Sequence, residues 1–137
     1  MRNKIIALSG GFDPIHSGHV RMILHAAEYG DVVVILNSDD WLMRKKNYKF
    51  MSWEERAEII SAIRGVISVE RVDDKDGTVC EALSRLRPDF FGNGGDRKQD
   101  NTPEGAICRD LSIGLLWNVG GGKIQSSSEL VKKFISL

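Results

Sequence analysis

Residues 31–37 read Asp-Val-Val-Val-Ile-Leu-Asn, with five apolar residues in an unbroken row. A strand with one wet face alternates apolar and polar residues. An unbroken β-branched run marks a strand covered on both faces. Such a sheet needs a layer on each side, and helices that alternate with the strands supply both. The rest of the sequence does alternate. Residues 4–9, 66–72, 89–91 and 113–119 read as four further strands. Residues 17–29 have helical spacing, with Val20, Ile23, Leu24 and Ala27 on one face and Gly30 as the stop. A second helix is expected over 52–63, with Ser52 as cap and Glu55 at the capping-box position. Others are expected over 77–86, stopped by Arg87-Pro88, over 104–111 and over 127–135. Segment 38–50 is polar and basic and is read as including a loop, as is 92–103, and Gly120-Gly121-Gly122 reads as a turn.

The expectation is an α/β fold: one Rossmann-like three-layer domain over residues 1–137. Its sheet is mostly parallel, of about five strands, with right-handed crossovers and helices on both faces. In such sheets a ligand lies beyond the carboxyl ends of the strands, where the strand order reverses. Lysine plus arginine equals aspartate plus glutamate at 19 each, so the basic excess of a nucleic-acid binder is missing. No apolar run approaches the roughly 18 residues of a membrane span, and the first run is too short for a signal-peptide core. A cytoplasmic protein with neither nucleic acid nor membrane as partner is expected. Cys80 and Cys108 have no metal-ligand spacing and are read as packed thiols.

The first strand is followed by Ser9-Gly10-Gly11-Phe12-Asp13-Pro14-Ile15-His16-Ser17-Gly18-His19. Gly10 and Gly11 can let the backbone approach a phosphate, and Pro14 stiffens the loop. His16 and His19, three apart at a helix start, can address one ligand, and the helix N-terminus offers N–H groups and partial positive charge to a polyphosphate. Gly18 leaves room over the first turn. Two histidines at this spacing also fit an ordinary capped helix start. Without a third ligand they make a poor zinc site, and no protein metal site is expected. Asp13 is read as a loop organiser.

The string Gly-Phe-Asp-Pro-x-His-x-Gly-His resembles the signature of the cytidylyltransferase-like nucleotidyltransferases, of the glycerol-3-phosphate cytidylyltransferase and heptose-phosphate adenylyltransferase type. The resemblance continues through Asn37-Ser38-Asp39 as a strand-end turn and Arg44-Lys45-Lys46 as a mobile basic loop. It extends to Glu55-Arg56 at a helix start, Gly94-Gly95-Asp96 near base and ribose, and Ser126-Ser127-Ser128 at a C-terminal helix start. Two departures stand out. Gly11 replaces a small hydroxyl residue, and Gly120 to Gln125 replaces an Arg-Thr-Glu-Gly segment, with Lys123 as the stand-in for the arginine.

The resemblance implies transfer of a nucleoside monophosphate from CTP or ATP to a phosphorylated sugar or polyol, with pyrophosphate released. Gly94-Gly95-Asp96 with Glu104 leans toward ATP and a sugar 1-phosphate; the length leans toward CTP. By the same resemblance His16, His19 and Lys46 are catalytic. Gly10, Gly11, Phe12, Asp13, Gly18, Lys45, Arg56, Gly95, Asp96, Gln125, Ser126, Ser127 and Ser128 bind the nucleotide. Mg²⁺ is carried mainly by the triphosphate, and the chain forms a homodimer. A phosphate monoester has its second pKa near 6 and is already anionic at neutral pH, so the histidines are assigned charge stabilisation rather than proton removal. The alternative is a non-catalytic nucleotide-binding regulatory module of the same fold. Trp53 is read as packing and Trp117 as core.

Overall fold

The computed structural model of the chain describes residues 3–94 and 102–119. Strands β1 (Ile5–Gly10), β2 (Asp31–Leu36), β3 (Val66–Glu70), β4 (Phe90–Gly94) and β5 (Gly114–Val119) form one sheet in the order β3-β2-β1-β4-β5. Every neighbouring pair is parallel. β1 lies in the middle, and Ile5–Gly10 runs beside Asp31–Leu36 residue for residue. From β1 the chain steps outward to β2 and β3, then crosses back to place β4 and β5 on the other side. The order therefore reverses between β1 and β4, and the loops after these two strands flank the crevice that the reversal opens.

Both faces of the sheet are covered, as the unbroken run at 32–36 demands. Ile6, Leu8, Val32, Val34 and Leu36 turn to one face, where they pack with Ile23 and Ala26 of α1 (Ser17–Ala26) and Ile60 of α3 (Trp53–Ser61). Ala7, Ile35 and Phe91 turn to the other, against Ala82 and Leu83 of α4 (Cys80–Leu86) and Cys108 of α5 (Pro103–Asp110). The reversal of strand order is what sends the second pair of helices to the opposite face, since each crossover keeps its right-handed sense. Gly30 marks the tightest join. A Cβ there would run into the Lys4 carbonyl, whose oxygen accepts the Asp31 N–H at 2.8 Å to start the β1–β2 pairing.

Two expectations need correction. Segment 38–50 does include a loop, after Lys46, but Asp39–Lys46 forms a helix that was not expected, α2. Its signals are at its ends. Ser38 Oγ accepts the Trp41 N–H, Asp39 and Asp40 occupy the first turn, Arg44, Lys45 and Lys46 occupy the last, and Asn47 closes it in the left-handed conformation. Arg44-Lys45-Lys46 is therefore helical, not a mobile loop. Boundaries also move: α1 stops at Ala26, α3 at Ser61, and α4 begins at Cys80. Before Cys80, Gly77 has φ +84 and Asp76 Oδ1 accepts from both Thr78 N and Thr78 Oγ1, a local turn that competes with the helix. Among the described residues no helix is long and apolar enough to cross a membrane.

Cys108 sits fully buried between α5 and the sheet, and this burial pushes its thiol up to about 11. It should therefore resist a thiol reagent at pH 8 in the folded protein and react once the chain is denatured. The check is mass spectrometry of labelled peptides, and labelling of native Cys108 at the rate of a model thiol would contradict this packing.

Candidate functional site

The loop from Gly10 to His19 leaves the carboxyl end of β1 at the reversal. Its shape is set by close packing. Phe12 is buried with φ 51, a left-handed value that a non-glycine residue holds only when its surroundings fix it. Its ring lies 4.7 Å from the His19 ring by centroids, and a Cβ on Gly10 would come within 3.1 Å of it. Asp13 is fully buried and accepts the Phe50 N–H at 2.7 Å and the Met51 N–H at 3.0 Å. Both carboxylate oxygens thus serve to join this loop to the α2–α3 connection. That is the organiser's role, and it leaves Asp13 poorly placed to ligate a metal.

His16 and His19 form a reciprocal cap. His16 Nδ1 accepts the Gly18 N–H at 3.0 Å, and His19 Nδ1 accepts the His16 N–H at 3.2 Å. This is the capping-box pattern, built from two imidazoles in place of a hydroxyl and a carboxylate. The rings stack at 3.9 Å with planes 21° apart. Because each Nδ1 is an acceptor, each neutral ring carries its proton on Nε2. Two expectations shift. The Gly18 and His19 N–H groups are engaged inside the cap, the second with the His16 carbonyl at 3.0 Å, so they are not the donors open to a polyphosphate. And the space beside Gly18 holds the His16 ring: an added Cβ would lie 2.8 Å from Cε1. Gly11 is similar, since a Cβ there would meet Leu42 at 2.8 Å and Trp41 at 3.2 Å. Its missing side chain admits the first turn of α2, not a ligand.

Arg56 is placed differently from a ligand-binding residue. Its side chain is wholly buried. Nη1 donates to the Gly11 carbonyl at 2.8 Å and the Asn37 carbonyl at 2.9 Å, Nε to the Met51 carbonyl at 3.1 Å, and Nη2 to Asp39 Oδ1 at 2.7 Å. The guanidinium fork grips the loop, the end of β2, the start of α2 and the segment before α3 at once. Burial pushes the Asp39 carboxyl up, but the hydrogen bond from Arg56 and the charges of Lys49 and Arg56 outweigh it and hold it below the usual range.

Lys45 and Lys46 lie one turn beyond the Trp41–Leu42 contact. Lys45 Nζ is 5.8 Å from the Trp41 ring and Lys46 Nζ 6.0 Å from the Tyr48 ring. Trp53 packs, donating its indole N–H to the Leu36 carbonyl at 3.0 Å beneath the Arg71 guanidinium at 3.9 Å. Glu104 Oε2 accepts the Val79 N–H at 3.3 Å and so caps α4 from α5, which gives it a local structural task. Gly95, Asp96, Lys123, Gln125, Ser126, Ser127 and Ser128 lie outside the described residues, as does the side chain of Trp117.

Sequence reasoning missed Asp74. It is almost fully buried, and its carboxylate holds Asn37 and Ser38 at the end of β2. It also borders a cleft of about 400 Å³ between α2 and the β3–α4 connection, lined among others by Asp40, Arg44, Arg71, Lys75, Glu81 and Arg85. The only signal was Asp-Asp-Lys-Asp after a strand, which reads as an exposed turn.

A family model described as cytidylyltransferase-like matches residues 7–110. Among curated relatives, the bifunctional protein HldE of Pelobacter propionicus is 35% identical over 111 residues, covering 79% of this chain and 22% of that protein. The chain thus spans about a fifth of the length of those relatives. The FAD synthase of Pyrococcus horikoshii is 34% identical over 118 residues, covering 80% of this chain and 74% of that protein. Among solved structures, a lipopolysaccharide core biosynthesis protein from Thermoplasma volcanium superposes with a TM-score of 0.69 at 20% identity, covering 85% of this chain and 94% of the other. A bifunctional NMN adenylyltransferase/ADP ribose pyrophosphatase from Francisella tularensis gives 0.70 at 16% identity, covering 98% and 42%. These structural likenesses speak for the fold.

Two outcomes follow from the geometry. Arg56→Met leaves buried carbonyls and a carboxylate without their donor and should cost about 3–5 kcal/mol in urea unfolding; a loss under about 1 kcal/mol would contradict the clamp. Because the Asp39 carboxyl sits below its unfolded value, the stability it confers is full above about pH 4 and is lost as pH falls through the lower folded value. Asp39→Asn should flatten that acid limb in a melting series against pH, and an unchanged limb would contradict the pairing.

Proposed function

The chain belongs to the cytidylyltransferase-like family, and we propose that it transfers a nucleoside monophosphate from CTP or ATP to a phosphorylated sugar or polyol, releasing pyrophosphate and leaving a CDP- or ADP-linked product. The observation that carries the reading is the reciprocal histidine cap at the reversal of strand order. Its two stacked rings spend Nδ1 on the backbone and keep an Nε2 proton each in the neutral state. The pair is held in a fixed orientation at the positive end of a helix dipole, a place suited to charge that develops on phosphate oxygens.

The acceptor's phosphate oxygen attacks the α-phosphorus in line. One P–O bond forms, the α–β bridging P–O bond breaks, and its electron pair leaves with pyrophosphate. No base is needed, because the attacking oxygen is already ionised near neutral pH. His16 and His19 meet the triphosphate and the growing negative charge, and Lys46, with Lys45 beside it, holds the α-phosphate or the acceptor phosphate. Gly95, Asp96, Gln125 and Ser126 to Ser128 complete the nucleotide site in this proposal. With both Asp13 oxygens committed to backbone donors, the loop fits a Mg²⁺ ion carried on the triphosphate rather than on the protein. Such an ion would neutralise phosphate charge.

The cleft between α2 and the β3–α4 connection is the place we assign to the acceptor. Its walls mix Arg44, Arg71, Arg85 and Lys75 with Asp40 and Glu81. Cations suit a phosphate, and carboxylates suit the hydroxyls of a sugar or polyol. A cytoplasmic homodimer is part of the same proposal.

The test is pyrophosphate release with four nucleoside triphosphates against sugar, polyol and amino-alcohol phosphates, with flavin mononucleotide added because a FAD synthase is among the relatives. Release with one pair well above the rest is expected, and no release with any pair would contradict transfer. On the active pair, His19→Ala should lower kcat by at least about 100-fold, and a near-normal kcat would remove His19 from the mechanism. Lys46→Ala should lower kcat as well; unchanged turnover would leave Lys46 as a solvated surface charge.

A further inference from the structure

Asp74 borders the cleft assigned to the acceptor, and it also meets α2 at both ends. At the N-terminal end its Oδ1 accepts the Ser38 hydroxyl at 2.7 Å, and its Oδ2 accepts the Ser38 N–H at 2.8 Å and the Asn37 side-chain amide at 3.0 Å. At the C-terminal end its backbone carbonyl accepts Arg44 Nη2 at 2.8 Å. Arg44 belongs to the last turn, next to Lys45 and Lys46. Asp74 itself is only 3% exposed, whereas the Arg44 side chain is half-exposed.

The Ser38 contact has a direction. A serine hydroxyl has one proton and two lone pairs. Asp74 takes the proton, which turns a lone pair toward the Trp41 N–H at 3.0 Å and makes Ser38 an effective helix cap. On the far side of the same turn, Arg56 holds the Asn37 carbonyl and Asp39. The three residues that launch α2 are therefore gripped by a buried anion from the β3–α4 connection and a buried cation from α3. The short helix between them carries the lysines and rests its first turn on Gly11.

We infer that Asp74 is a positioning residue for the transfer reaction: it fixes the direction of α2, and through α2 the place of Lys45 and Lys46 relative to the histidine loop. The inference rests on the proposed transfer. It concerns how the lysines are held and does not make Asp74 a substrate contact.

The test is Asp74→Asn, which keeps the shape. Whichever way the new amide faces, one of its hydrogen bonds to Ser38 is inverted or lost. Exchange of the Trp41 amide should quicken by at least about tenfold, and kcat should fall about tenfold with the triphosphate KM within about threefold. Leu83→Val, in the core between α4 and the sheet, controls for lost stability and should leave kcat within about twofold. Combined with Lys46→Ala, the Asp74→Asn loss should not multiply, because both act through the lysine. If Asp74→Asn fails to fold, Ser38→Ala removes only the hydroxyl and should show the same kcat loss and the same failure to multiply. Losses that multiply, or a kcat no lower than in Leu83→Val, would overturn the inference. If the wild-type chain turns over no substrate pair, the transfer reading has failed. The holding of α2 by Asp74 is then judged on Trp41 exchange alone, and unchanged exchange overturns it.

Discussion

Four acceptors converge on the Arg56 guanidinium, and they come from three separate stretches of chain: Gly11, the Asn37–Asp39 turn and Met51. A buried cation is costly unless nearly every N–H finds a partner. Here the fork meets three carbonyls and a carboxylate, so the cost becomes a requirement on geometry. If any of the three segments moves, a charged donor loses its partner in a place water does not reach. The β1–α1 loop, the end of β2, the start of α2 and the entry to α3 are in this way made into one unit. Asp13 ties the loop to the same connection through Phe50 and Met51, and Asp74 ties α2 from the side away from Arg56.

On this unit the histidine pair gains its precision. An imidazole on a surface helix has rotamer freedom that would blur any donor it presents. Here each ring is locked by a backbone N–H at Nδ1, by the stack with the other ring and, for His19, by Phe12. In the proposed transfer the same contacts that cap the helix also orient the rings toward the triphosphate, so the capped-start reading and the ligand reading of His-x-x-His are compatible. Gly18 is needed because the His16 ring lies against it, and Gly11 because α2 does.

How far this could be read from residues alone varies along the chain. The layers were legible, because Val32 to Leu36 and Ile6 to Leu8 are local runs whose burial follows from their own composition. α2 was not legible by periodicity: it has one buried residue, Leu42, and its helical signals are the Ser38 cap, the charge order along Asp39–Lys46 and the left-handed Asn47. The histidine loop was located by its motif. The cap that consumes the Gly18 N–H depends on ring orientation and could not be read from spacing. Arg56 and Asp74 were the least legible. Arg56 reaches partners 5 to 45 residues away and the Asp74 carboxylate partners 36 and 37 residues away, and a charged residue gives no local sign that it will be buried.

The central claim is that the triphosphate sits at the Gly10–His19 loop and is met by the histidine imidazoles. The direct measurement is a nitrogen-15 NMR titration of the folded protein with CTP and with ATP in the presence of Mg²⁺, following backbone amides and imidazole Nε2 together. The account predicts that shifts begin at residues 10–19, with the Nε2 signals of His16 and His19 moving at the same ligand concentration. Binding that leaves this loop and both imidazoles unmoved while another surface shifts would contradict it.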